Sequence, residues 1–319
     1  MSKLRKYVVK NAFHGYLPAR SDFEILEEPI PNLETGEFLV KSAYISVDCY
    51  QRSFARNYQV PYEQFGFQVG KVQQSKNSEY PIGTYVVSHS GWRNYTVLNG
   101  HPDNIFNMKP YCPDIGDLPV SLCVGALGMP GIAAYLGLLE ICKPKAGDVV
   151  CVTSAAGTVG CTVIGFAGSD EKVQILKSEL GFHYAFNYKT VTSIRDALTE
   201  TTGGVDCYFD NVGGQLAACI LECMNENGRV AVCGSISTYG DEVKGQTRAR
   251  TRVSVKIETF SFTQWDLLKQ RDALRQLKEW LQNGTIKAKQ TVTNGFEKLP
   301  DTLIAMLKGE SVGKALVKL

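Results

Sequence analysis

The chain has 319 residues, of which 44% are hydrophobic and 21% charged, and a formal net charge of +2. That length suffices for two domains with separate cores, and the near-neutral charge gives no reason to expect nucleic acid or an anionic membrane as a partner. Ten cysteines are present, but none forms a Cys-x-x-Cys pair and most lie in apolar runs, where a free thiol packs as a small hydrophobe. The N-terminus, Lys3-Leu4-Arg5-Lys6 leading into Tyr7-Val8-Val9, carries no apolar signal region. No run approaches the roughly 20 apolar residues of a membrane span. A reduced, cytoplasmic setting is the expectation.

Residues 1–120 read as β-rich and turn-rich, with strand-like runs over 38–47 and 83–87 between Gly, Pro and Asn punctuation. Residues 121–142 are small and apolar, with Gly128-Met129-Pro130-Gly131 inside and a helix expected over 133–142. From Val149 the pattern alternates. Strands are expected along the apolar run that starts at Val149 and at 162–168, 184–188, 205–211 and 228–234. Helices are expected at 170–180, 192–201, 216–224 and 265–283. This βα alternation predicts a parallel, doubly wound sheet. The tail from Lys287 returns to mixed strand and helix. The domains are placed at 1–120 with 287–319, β-rich, and at 121–286, dinucleotide-binding.

The run Val149-Val150-Cys151-Val152-Thr153-Ser154-Ala155-Ala156-Gly157-Thr158-Val159-Gly160 is how a buried parallel strand delivers the chain to a pyrophosphate. By itself Gly157-x-x-Gly160 also fits an ordinary turn. Gly168-Ser169-Asp170-Glu171-Lys172 closes the next strand, where an acidic residue usually grips an NAD ribose. A small residue and a cation there suit the 2′-phosphate of NADP. The same residues also read as a helix first turn with a solvated lysine. Asp210-Asn211-Val212-Gly213-Gly214 and Cys233-Gly234-Ser235-Ile236-Ser237 are two more small-residue strand ends. They suit a ligand lying close to the backbone, or a pair of tight turns.

With Ser46-Val47-Asp48-Cys49-Tyr50-Gln51-Arg52, Gly128-Met129-Pro130-Gly131, Phe186-Asn187-Tyr188-Lys189 and Cys233 to Tyr239, these blocks resemble, in order along the whole chain, the zinc-independent branch of the medium-chain dehydrogenase/reductase superfamily. The resemblance implies an α/β fold, a Rossmann-like parallel-sheet domain joined to a β-rich GroES-like catalytic domain. It implies NADPH as cofactor and a small-molecule enone or alkenal as substrate in a cleft between the domains. Gly157, Thr158, Val159 and Gly160 would hold the pyrophosphate, and Lys172 the 2′-phosphate. Tyr188 and Asn211 would line the nucleotide. Cys233, Gly234, Ser235, Ile236, Ser237 and Tyr239 would pass the nicotinamide ribose and ring. Phe260, Phe262 and Trp265 would flank the ring and the substrate mouth. Ser311 stands at a cofactor-contacting position where relatives often carry Asn, so one amide contact is expected to be lost. A homodimer through edge strands is the family expectation.

Zinc is not expected. A catalytic zinc needs about three protein ligands; the stretch matching the zinc-bearing relatives' Gly-His-Glu is Phe65-Gly66-Phe67-Gln68-Val69-Gly70, Cys49 has no evident partners, and His14, His89, His101 and His183 are scattered singly as surface or hydrogen-bonded histidines. Conjugate reduction asks less of a metal-free site than carbonyl reduction. Hydride goes to the β-carbon, and a hydroxyl can hold the enolate oxygen. Tyr50 and Tyr239 are the catalytic candidates. The expected activity is reduction of the carbon–carbon double bond of α,β-unsaturated ketones or aldehydes, 15-oxo-prostaglandins among them. A quinone oxidoreductase and a catalytically dead relative are the other readings. The last is prompted by a departure: the family's helix after Gly160 is missing, so that one or two residues would have to bridge two parallel strands, where a dozen or more is usual. Weak or absent NADPH binding is the expectation from that gap. Residues 240–252 also look short and basic beside the family's loop.

Overall fold

The computed structural model describes residues 3–13, 16–102, 104–153, 161–238 and 251–319. In chain order the strands and helices are β1 (Lys3–Val9), β2 (Phe23–Pro29), β3 (Phe38–Ser46), α1 (Tyr50–Ala55), β4 (Tyr62–Glu63), β5 (Gln68–Ser75), β6 (Tyr85–Ser88), β7 (Tyr95–Leu98), α2 (Met129–Leu136), β8 (Val149–Thr153), β9 (Thr162–Ala167), α3 (Asp170–Ser178), β10 (Tyr184–Asn187), α4 (Ile194–Thr202), β11 (Val205–Asp210), α5 (Gly214–Leu221), β12 (Met224–Val232), β13 (Val255–Thr259), α6 (Leu267–Gln282), β14 (Gln290–Asn294), α7 (Leu299–Leu307) and β15 (Lys314–Lys318). The chain divides into two compact units, Met1–Pro130 with Ala288–Leu319, and Gly131–Lys287.

The first unit is β-rich. One sheet runs β2-β1-β4; a second runs β14-β15-β3-β5-β6, with β7 pairing to β3. β3 and β5 each open with three consecutive buried residues, and α7 closes the core with Leu299 and Leu303, both fully buried beside Tyr7, Ile45 and Trp92. Each such leucine contributes about 1.5–3 kcal/mol of burial.

The second unit is an α/β domain whose sheet runs β10-β9-β8-β11-β12-β13, with all pairings parallel. Counted from β8 within this sheet, the order is 3-2-1-4-5-6, that of dinucleotide-binding sheets, with the reversal between β8 and β11. β8 is buried along its whole length, as a strand covered on both faces must be. α3, α4 and α6 begin at side-chain caps from Ser169, Ser193 and Asp266.

Three expected elements differ. The helix expected over 133–142 starts at Met129, with Pro130 in its first turn, and its last turns, Gly137–Cys142, wind as a π-helix. Arg229 donates from Nε to the Cys142 carbonyl at 2.8 Å and forms an ion pair with Asp148, placing a cation on the helix's C-terminal end. Met224, expected in a helix, opens β12 instead, because α5 stops at Leu221. Gly137 is required by packing: a Cβ there would collide with the Phe260 ring and lie 2.7 Å from Phe209 Cε2. Alanine usually gains about 1 kcal/mol over glycine in a helix. Overpacking costs about 1–3 kcal/mol, so Gly137→Ala should lower stability in urea melts rather than raise it.

The third difference concerns the break at Gly160. β8 ends at Thr153 and β9 begins at Thr162, and they lie side by side with Val149 opposite Thr162 and Thr153 opposite Phe166. The crossover is therefore eight residues, 154–161, rather than one or two. An extended chain of that length reaches about 28 Å, against about 17 Å for the height of a five-residue strand. Gly157, Thr158, Val159 and Gly160 lie outside the described residues, as do His14, Tyr239 and residues 240–250.

Candidate functional site

At the carboxyl edge of the parallel sheet, β8 and β11 are tied across the point where strand order reverses. Asn211 donates from its backbone N–H to Thr153 Oγ1 at 3.0 Å and from Nδ2 to the Thr153 carbonyl at 2.5 Å. The Asn211 side chain, expected to line a nucleotide, is thus spent on joining two strand ends. Asp210, which sequence reasoning passed over, is the anchor of this edge. Its Oδ1 accepts from Tyr208 Oη at 2.8 Å and from the amides of Val212 and Gly213, both at 2.9 Å. Its carbonyl accepts from the amides of Cys233 and Gly234.

The 212–214 and 235–237 loops then meet backbone to backbone. The Ser237 amide and hydroxyl both donate to the Val212 carbonyl, at 3.0 and 2.6 Å. Gly213 and Gly214 have φ of +68° and +60°, and a Cβ on Gly214 would sit 2.7 Å from Ser237 Oγ. Backbone conformation and the neighbouring loop therefore account for both glycines. Cys233, Gly234, Ser235, Ile236 and Ser237 are brought together here, with the Cys233 thiol pushed up to about 11 by burial and then by Asp210.

At the neighbouring strand ends, Lys172 on the first turn of α3 faces Lys189, which follows β10. Burial lowers the Lys172 pKa, and the charge of Lys189 lowers it further. Tyr188 and Lys189 both lie against Gly168: a Cβ there would fall 3.1 Å from Tyr188 Oη and 3.4 Å from Lys189 Cε, and Lys189 Nζ is 6.0 Å from the Tyr188 ring centroid. Asp170 is turned aside by a 2.8 Å bond from Asn187 Nδ2. Lys189 was missed in the sequence; its place directly after Tyr188 was the available signal. Phe260 and Phe262 are buried, and Phe260 packs edge-on to Phe209 and Trp265 at 6.0 and 5.7 Å. This is core packing, which leaves Trp265 as the more open member of that group.

Tyr50 and Ser311 belong to the first unit. Tyr50 opens α1, and its Oη is 3.1 Å from His89 Nε2. Phe54, Phe65 and Phe106 surround its ring at 5.6–6.0 Å. Burial, then the charge of Asp48, raises the Tyr50 pKa well above the ordinary phenol value, against a hydrogen bond from the Phe67 backbone. Burial lowers the His89 imidazole to about 4, with Asp48 pulling the other way. Asp48 holds the turn before α1: its Oδ1 is 3.1 Å from Lys314 Nζ, and its amide donates to Gln51 Oε1 at 3.0 Å. A cavity of about 680 Å³ lies beside His89, lined also by Phe65, Ser90, Arg93, Asn104 and Ile105. Ser311 sits in the turn between α7 and β15, next to Val312, which Thr291 pins.

Among the described residues no three or more His, Cys, Asp or Glu side chains gather as a metal site, and Cys49 Sγ packs 3.4 Å from Met306 Sδ. All ten cysteines are free, and no helix among the described residues is long and apolar enough to cross a membrane.

Comparison with known proteins adds the following. Residues 5–105 match the family described as the N-terminal domain of oxidoreductase, and residues 150–279 the family described as zinc-binding dehydrogenase. The chain is 40% identical to prostaglandin reductase 1 of Oryctolagus cuniculus, over 99% of this chain and 93% of the relative. It is 33% identical to 2-alkenal reductase (NADP(+)-dependent) of Nicotiana tabacum, over 98% and 96%. Among solved structures, CurA from Vibrio vulnificus in complex with NADPH superposes with a TM-score of 0.85 at 28% identity, covering 98% of both chains.

Proposed function

We infer the reaction from membership: the chain belongs to the zinc-independent branch of the medium-chain dehydrogenase/reductase family and is an oxidoreductase. Its reaction is NADPH-dependent reduction of the carbon–carbon double bond of α,β-unsaturated ketones and aldehydes, of alkenal or 15-oxo-prostaglandin type. The names of its relatives support the substrate class. The observation that carries the cofactor assignment is the lysine pair at the ends of β9 and β10. Lys172, whose pKa is lowered first by burial and then by the charge of Lys189, fits with that neighbour a dianionic 2′-phosphate, which offsets both effects. Gly168 leaves no carboxylate in the place where one would repel it.

Bound NADPH supplies the hydride that adds to the β-carbon of the substrate. The chain's own groups do the rest. Lys172 and Lys189 would hold the 2′-phosphate, and Gly157, Thr158, Val159 and Gly160 would meet the pyrophosphate. The Asp210 and Asn211 bonds tie the strand ends together. Tyr50 and Tyr239 are the candidate hydroxyls for the oxygen on which enolate charge would collect, and charge spread over an enolate asks for no Lewis acid. A reduced, cytoplasmic location accords with the free thiols. A homodimer through an edge of the parallel sheet accords with β13, an edge strand on which Ile257 is 48% exposed.

Enone-dependent NADPH oxidation tests the reading directly; turnover of a quinone but not of an enone would replace it by a quinone reductase. Tyr239→Phe should reduce turnover more than cofactor affinity, and equal activity removes Tyr239 from the mechanism. The eight-residue crossover favours one second reading, a relative with impaired cofactor binding, because a full helix after Gly160 would add N-terminal amides and a dipole at the phosphate. The alignment with one relative runs over 334 positions against the 319 residues here, in accord with lost residues. Titration of NADPH fluorescence separates the two, since a micromolar or tighter constant rejects impaired binding.

A further inference from the structure

We propose that His89 is the positioning residue that sets the hydroxyl proton of Tyr50 and refills it from solvent. The inference rests on the enone-reductase reading, which assigns Tyr50 to the enolate.

Geometry carries it. The Tyr50 Oη to His89 Nε2 distance of 3.1 Å is a hydrogen bond. The imidazole is clamped edge-to-face by Phe67 at 4.8 Å and Phe106 at 5.0 Å, so it cannot swing away from the phenol. His89 also lines the 680 Å³ cavity. The imidazole thus stands between a half-buried phenol and a space large enough for water. The charged groups nearby are accounted for: Asp48 is paired with Lys314, and Glu63 and Arg93, on the cavity wall, pair with each other. Tyr58 also lines the cavity.

Chemistry supplies the need. Reduction of an enone adds a hydride at the β-carbon and a proton to the enolate. If Tyr50 gives that proton alone, a phenolate is left in a place where burial strongly disfavours it. The neutral imidazole, one nitrogen a donor and the other an acceptor, removes the difficulty. Tyr50 Oη–H passes its proton to the enolate, Nε2–H passes one to Oη, and Nδ1 takes one from water. Once product has left, Nδ1 returns its proton to water while Oη–H gives its own to Nε2 and is refilled by water entering the emptied site, which restores the starting tautomer. The hydroxide left behind is neutralised by bulk solvent. One hydride and one proton are consumed, and Tyr50 and His89 end uncharged.

The test is steady-state reduction of benzylideneacetone with NADPH by the full chain carrying Tyr50→Phe, His89→Ala, His89→Phe and the Tyr50→Phe/His89→Phe pair. His89→Phe retains the aromatic packing and serves if the alanine variant does not fold. Both single His89 variants should lose about 10- to 100-fold in kcat, with KM for NADPH unchanged. Added imidazole should restore part of kcat in His89→Ala and none in Tyr50→Phe. The pair should be no slower than Tyr50→Phe alone. Wild-type kcat in His89→Phe, or losses that multiply in the pair, overturns the inference while leaving Tyr50 in place. Wild-type kcat in Tyr50→Phe overturns the assignment of Tyr50 and this inference with it.

Discussion

Replacing Lys172 and Lys189 together by alanine is expected to weaken NADPH binding by about 100- to 1000-fold and to leave NADH binding within about threefold. Each charge-assisted bond to a phosphate is worth about 1.5–3 kcal/mol. The two lysines sense one another, so their losses should not add in full. The lowered pKa of Lys172 gives a second readout. A lysine with a lower pKa in the fold than in the unfolded chain costs stability at every pH below the folded value. The cost is relieved as pH rises through that value towards the unfolded one. A bound 2′-phosphate removes that cost. NADPH should therefore raise the melting temperature more than NADH at equal saturation, and the double variant should abolish the difference. Equal shifts from the two cofactors in the unaltered chain would reject the assignment of the pair.

Lys314→Met should be the most damaging single change outside the cores, lowering stability by about 3–5 kcal/mol. Lys314 Nζ is 3.1 Å from Asp48 Oδ1 and donates to the Val47 carbonyl at 2.7 Å. The two side chains are only 16% and 10% exposed. A surface pair of this kind would be worth under about 1 kcal/mol. Here the loss of Lys314 leaves a carboxylate that is buried and uncompensated. The double variant Asp48→Asn/Lys314→Met should recover most of the loss, because a neutral side chain pays little to remain buried. Denaturant melts decide: a double variant no more stable than Lys314→Met would mean that packing, not charge, is at stake. The pair also holds the turn that presents Tyr50, so Lys314→Met should lower kcat in molecules that remain folded.

Both changes act on contacts that no local pattern announces. The strands β8, β9 and β11 were readable because a run buried on both faces is apolar throughout and stops at small residues. α3 was readable because Ser169, Asp170 and Glu171 form a helix start. Met224 was misplaced because an apolar residue after an amphipathic run continues a helix as readily as it opens a strand; the decision lay with its pairing opposite Val205. Gly213 and Gly214 were visible as glycines, but the reason for them, a second loop 20 residues on packed against the first, was not. Phe260 was assigned to the rim of a site and lies in a core, since an aromatic ring suits either.

From sequence alone came the two-part architecture, the parallel sheet, the absence of a zinc-ligand pattern and the family. These follow from periodicity, punctuation and short motifs, each contained within a few neighbouring residues. Tertiary structure decided the rest. It set Lys189 beside Lys172, turned Asn211 onto Thr153, and brought His89 to Tyr50 and Lys314 to Asp48. Those are meetings between distant positions, determined by strand order and register, and their chemistry exists only once burial has removed the water between them.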